Sequence, residues 1–153
     1  MQWLFGDIVN ISAKLRHHSK LKIDVEDTAY INLDISQKNK KNLISASLNL
    51  DFVRQDLTRT CTVMCEKGTI RWNGVKGIVE KITQGDKYWK TLYRYNQKKN
   101  DTYKLEWEAF LKSMKKKITN EVSIESASQV MDIIYAARIS NNLKNKYIEI
   151  KIN

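Results

Sequence analysis

Three segments in the first third of the chain alternate apolar and polar residues one by one. From Ile8 to Arg16, Val9, Ile11, Ala13 and Leu15 fall on one side and Asn10, Ser12 and Lys14 on the other. From Glu26 to Ser36, Ala29, Ile31, Leu33 and Ile35 oppose Thr28, Tyr30, Asn32 and Asp34. From Leu43 to Phe52, Ile44, Ala46, Leu48, Leu50 and Phe52 oppose Ser45, Ser47, Asn49 and Asp51. A slip of one residue would turn each apolar set outward, so three such segments predict a sheet with one apolar and one polar face.

The alternation continues through Thr58 to Glu66, and Lys67-Gly68 turns the chain into Thr69-Ile70-Arg71-Trp72. Asn73-Gly74 predicts a hairpin leading into Val75 to Ile82, and Gly85-Asp86 opens a further strand through Tyr95. No segment before Asn100 has the length and period of a crossover helix, so the strands form an antiparallel meander.

Beyond Asn100 the apolar spacing becomes helical. Asn100-Asp101 can cap a helix with Tyr103, Trp107, Phe110, Leu111 and Met114 on one stripe. Ser123, with Glu125 in the first turn, can cap a second helix bearing Ala127, Val130, Met131, Ile134 and Ala137. The tail from Lys146 to Ile152 alternates again and reads as a last strand. The pattern predicts one α+β domain over residues 1–153: a largely antiparallel, open-faced sheet with helices packed on one face.

Composition narrows the function classes. The apolar share of 42% and charged share of 29% are those of an ordinary soluble domain, and no apolar run approaches a bilayer span. With no signal-like N-terminus, a cytoplasmic protein without a membrane anchor is expected. Cys61 and Cys65, four apart in a strand, stand roughly 13 Å apart at ~3.3 Å per residue, too far to pair with each other. Two reduced structural thiols are expected, and no metal centre, since the only histidines are the adjacent His17 and His18. The net charge of +10 comes mainly from lysine, and the runs Lys38 to Lys41 and Lys115 to Lys117 fall at an expected turn and helix end. Nucleic acid is therefore not the expected partner, because arginine, the better bidentate reader of phosphates and bases, is scarce and scattered.

No catalytic constellation emerges from the residues themselves. Gly6, Gly68, Gly74, Gly77 and Gly85 form no phosphate-binding loop, and Glu26 and Asp27, adjacent in a strand, point to opposite faces. No catalytic and no cofactor-binding residue is assigned.

Several short motifs, in chain order, resemble one family. They are Trp3-Leu4-Phe5-Gly6-Asp7-Ile8-Val9, Val25-Glu26-Asp27-Thr28-Ala29, Glu66-Lys67-Gly68-Thr69-Ile70 with Trp72, Glu108-Ala109-Phe110-Leu111, and the helix from Ile134 to Ser140. Together they resemble the C-terminal domain of Gfo/Idh/MocA-type oxidoreductases, of which glucose-fructose oxidoreductase and inositol dehydrogenase are members. The sequence departs from the pattern where Cys65 or its neighbour replaces a glycine, in the Lys-Asn turn at 38–42, and in having no proline before Val122.

The resemblance implies an NAD- or NADP-dependent enzyme acting on a sugar, polyol or nucleotide sugar, of which this chain is the substrate-side and oligomerisation half. The family's N-terminal Rossmann domain, its E-K-P lysine and its H-x-x-D helix have no counterpart in this sequence. The chain alone is therefore expected to bind no cofactor and to be inactive, and to self-associate through the sheet face. Asp51 and Arg54, at the end of the third predicted strand, are the candidate substrate-facing residues. An alternative from another class is a non-catalytic binding module, either a protein–protein adaptor or a basic RNA-binding domain. Steep salt dependence of oligonucleotide binding would mark the latter.

Overall fold

The computed structural model describes residues 1–38, 40–96, 98, 100–116 and 123–150. Contacts divide the chain into two compact units, Met1–Arg54 with Glu121–Asn153, and Gln55–Asn120.

In the first unit a short helix α1 (Gln2–Phe5) leads into β1 (Asp7–Arg16), β2 (Thr28–Ser36) and β3 (Ile44–Asp51). Gly6 makes the entry possible: its φ is +117°, and a Cβ there would stand 2.2 Å from the Ser36 carbonyl oxygen. Helix α3 (Ile124–Asn142) and the short strand β8 (Ile148–Glu149) complete the unit, the second unit lying between β3 and α3 in the chain. The sheet runs β3-β2-β1-β8, all antiparallel.

The predicted alternation is realised with one irregularity. The register shifts between Ile8 and Asn10, so Val9 forms a bulge, and its carbonyl accepts the Ile150 amide at 2.8 Å. The bulge lets both Ile8 and Ile11 turn inward, where they form the core with Ala13, Leu33, Ile35, Ala136 and Ala137. The opposite face carries the rows Asn10–Asp34–Ser45, Ser12–Asn32–Ser47 and Lys14–Tyr30–Asn49. Hydrogen bonds run along these rows, from Ser47 Oγ to Asn32 Oδ1 at 2.8 Å and from Asn10 Nδ2 to Asp34 Oδ2 at 3.3 Å.

Ser123 caps α3 as predicted, its hydroxyl accepting the Ser126 amide at 3.2 Å. Of the predicted stripe only Ala137 is buried, and the helix turns the rest outward. Ala136, Ala137 and Ser140 are buried with Ile133 packed beside them, while Val130, Met131 and Ile134 are exposed. Small residues let the helix backbone lie close to β1, and two polar side chains then take over the unpaired edge of that strand. Beyond Ile11, where pairing with β8 stops, Ser140 Oγ accepts the Ala13 amide at 2.9 Å and Asn141 Oδ1 accepts the Leu15 amide at 3.0 Å.

The second unit holds β4 (Thr60–Cys65), β5 (Gly68–Asn73), β6 (Ile78–Ile82), β7 (Lys90–Arg94) and helix α2 (Asp101–Lys116). Its strands form a separate antiparallel meander, β4-β5-β6-β7, so the predicted strands belong to two four-stranded sheets. The β5–β6 turn is longer than the Asn73-Gly74 signal suggests, because Asn73 Oδ1 accepts the amides of both Val75 and Lys76 and delays the next strand to Ile78. Arg71 stacks on Trp89 at 3.9 Å and donates to Glu80 at 2.8 Å. Cys61 and Cys65 are free thiols. The stripe of α2 is only partly screened: Tyr103, Trp107, Phe110 and Met114 are exposed. The part of the predicted tail strand at 151–152 lies outside the described residues.

Candidate functional site

Asp51 ends β3 opposite Thr28, the first residue of β2. Its Oδ1 accepts the amides of Val53 at 3.1 Å and Arg54 at 2.7 Å, a local turn that fixes where the Arg54 backbone sits. The two candidates from the sequence are thus brought together, with Asp51 shaping the turn that presents Arg54.

The residue that organises this end of the sheet is Asp27, which the sequence offered only within the Val25–Ala29 motif and as a carboxylate beside Glu26. Asp27, only 2% exposed, receives the His18 amide at 2.9 Å on Oδ1 and the Ser19 amide at 2.7 Å on Oδ2. The Thr28 hydroxyl adds a third bond at 2.9 Å. Its own amide donates to the Arg16 carbonyl at 3.0 Å, and its carbonyl accepts the Phe52 amide at 2.9 Å. His17 and His18 are exposed, with His17 Nδ1 3.0 Å from the Val25 carbonyl oxygen. An Asp-Thr pair at the entry to a strand is the only sequence signal of this closure, since an Asp before a strand commonly collects loop amides.

Hydrogen bonds from the Ser19 hydroxyl and then the His18 amide hold the Asp27 carboxyl well below the usual carboxylate range, against the opposing effect of burial. In the second unit, Asp86 is held low by Lys90 and then by the hydroxyl and amide of Thr83. A depressed folded pKa means that the stabilisation is fully present above the unfolded value of about 4 and is lost as pH falls through the folded value. Both units are therefore expected to weaken progressively in acid below about pH 4. In urea titrations at stepped pH, Asp27→Asn and Asp86→Asn should each flatten that fall, and curves parallel to the parent would contradict the assignment.

A recess of about 20 Å³ lies between α1, β1 and α3, lined by Gln2, Asp7, Gln129 and Asp132 among others. It has room for about one water molecule and none for a sugar. Among the described residues no three His, Cys, Asp or Glu side chains group as a metal site. No helix among them is long and apolar enough to cross a membrane.

Among the described residues no helix N-terminus is built to hold a dinucleotide. A pyrophosphate needs a glycine-rich turn opening onto free amides of a helix N-terminus. Helix α3 is instead entered through Ser123, whose side chain already takes the Ser126 amide, and α2 follows Asn100, with no glycine beside either.

Residues 1–150 match the model of the oxidoreductase family described as Gfo/Idh/MocA, C-terminal alpha/beta domain. The chain belongs to this family. Solved structures agree on the fold. An oxidoreductase from Sinorhizobium meliloti superposes with a TM-score of 0.72 at 13% identity, covering 93% of this chain and 47% of that one. An aldose-aldose oxidoreductase from Caulobacter crescentus complexed with glycerol gives 0.72 at 12% identity, covering 94% and 42%. A UDP-N-acetylglucosamine 3-dehydrogenase from Acidithiobacillus ferrooxidans gives 0.69 at 12% identity, covering 92% and 42%. The chain therefore spans less than half the length of these structures. No curated protein matches it. The Gfo/Idh/MocA C-terminal fold, α+β with antiparallel sheet and helices, is the one expected from the sequence.

Proposed function

We propose that this chain is the substrate-side domain of an NAD- or NADP-dependent oxidoreductase acting on a sugar, polyol or nucleotide sugar. The dinucleotide is held by a separate nucleotide-binding domain. The observation that carries this reading is the match over residues 1–150 to the C-terminal domain of an oxidoreductase family. Two structures of the same fold come from an aldose-aldose oxidoreductase and a nucleotide-sugar dehydrogenase. In this reading Arg54 meets a hydroxyl or phosphate of the substrate and Asp51 sets the turn that carries it. The polar face of the first sheet, with its rows of Ser, Asn and Tyr, joins a second copy in a two-fold contact.

The test is an NMR titration of the chain with glucose and with UDP-N-acetylglucosamine. Amide shifts are expected at Asp51 to Arg54, and Arg54→Ala should weaken binding about tenfold or more, the usual loss for a charged hydrogen bond. Shifts elsewhere, with Arg54→Ala binding like the parent, would remove Arg54 from the site. Light scattering on the same samples should report a dimer or larger, and a strict monomer at high concentration would count against the sheet-face contact.

A further inference from the structure

We propose that Asp27 is a positioning residue that couples the loop after β1 to the Asp51–Arg54 turn, so that the two segments move as one. The inference rests on the reading above that this turn meets the substrate.

Three chain segments converge on this residue. Its amide is tied to the last residue of β1 through the Arg16 carbonyl, and its carboxylate to the following loop through the His18 and Ser19 amides. Its carbonyl is tied to the chain leaving β3 through the Phe52 amide, one residue after Asp51 and two before Arg54. The Asp51 carboxylate then closes the turn on the Arg54 amide at 2.7 Å. A path of hydrogen bonds and one covalent step therefore runs from Ser19 to Asp27, from Asp27 to Phe52, along the chain to Asp51, and from Asp51 to Arg54. The Asp27 carboxylate faces the loop and not the core formed by Ile11, Leu33 and Ile35.

The carboxylate suits the role because it offers two acceptor oxygens to amides that cannot reverse direction. Alanine removes both. Asparagine keeps one oxygen, which at the Oδ2 position can still receive the His18 and Ser19 amides, 3.0 and 2.7 Å away, while its NH2 at the Oδ1 position gives up the second His18 contact at 2.9 Å and can only donate, to the Thr28 hydroxyl.

The experiment is amide hydrogen exchange on the full chain, comparing the parent with Asp27→Ala, Asp27→Asn and Asp51→Ala. In Asp27→Ala, exchange is expected to rise about tenfold or more at His18, Ser19 and Phe52 to Arg54, with Ile11, Leu33 and Ile35 unchanged. Asp27→Asn should restore most of the protection. Asp51→Ala, at an exposed position, keeps the test decisive if Asp27→Ala does not fold. Because coupling is reciprocal, it should speed exchange at His18 and Ser19 as well as at Arg54. A uniform rise across β1 and β2 would reduce Asp27 to ordinary stabilisation. A rise at His18 and Ser19 alone would reduce it to closure of one loop. Sugar titration of the same samples separates the two ideas: a parent chain blind to sugar removes the substrate reading, while the exchange pattern still decides the coupling.

Discussion

Replacing Ile35 by alanine is expected to destabilise the first unit by about 3–5 kcal/mol, the upper part of the range for deleting a fully buried aliphatic side chain. Ile35 is 0% exposed and lies in the central pair of strands, opposite the buried Ile8. Neighbours in a close-packed sheet core relax only partly into the space left behind, so the loss includes the vacated volume as well as the transfer of three methyl or methylene groups. Since small domains are stable by about 5–15 kcal/mol, a large fraction of the margin would go. Urea denaturation followed by far-ultraviolet circular dichroism measures it. A loss below about 1 kcal/mol would mean that this core is not packed as described.

The second large effect is expected at Gly77. Its φ is +61°, and an added Cβ would stand 2.0 Å from the carbonyl oxygen of Tyr95. The two backbones are also bonded, since the Gly77 carbonyl accepts the Tyr95 amide at 2.8 Å. Alanine here meets both the left-handed penalty of about 1–2 kcal/mol and a clash that only movement of the backbone after β7 can relieve. A total of about 2–4 kcal/mol is expected, confined to the second unit. Hydrogen exchange should show lost protection at Ile78 and Tyr93 to Tyr95 while Ile11 and Ile35 stay protected. A variant as stable as the parent would contradict the close approach of these segments.

The strands of the first unit were legible because each puts its whole apolar set on one side, and burial then leaves one register. The bulge at Val9 was not, since Ile8-Val9 reads equally well with either residue inward until the partner strand fixes the pairing. Alternation also says nothing of which strands share a sheet, so β1–β3 and β4–β7 looked like one meander although they form two sheets. On α3 Ala137 was picked out, but Ala136 and Ser140 were not, because they carry little apolar weight beside Val130, Met131 and Ile134. Close approach to β1 rewards the smaller side chains, and Ser140 also satisfies a strand amide. At the candidate site, Asp51 and Arg54 could be picked out by their place at a strand end. Asp27 could not, because its partners at 16, 18, 19 and 52 converge only once the sheet has formed.

In the proposed division of labour, substrate contacts lie on this chain and the dinucleotide on a separate domain. Calorimetric titration of the chain with NAD+ and NADP+ tests it most directly. No binding heat is expected for either nucleotide up to about 1 mM, because no helix among the described residues opens from a glycine-rich turn that could hold a pyrophosphate. Saturable binding of either one with a micromolar Kd would contradict the account.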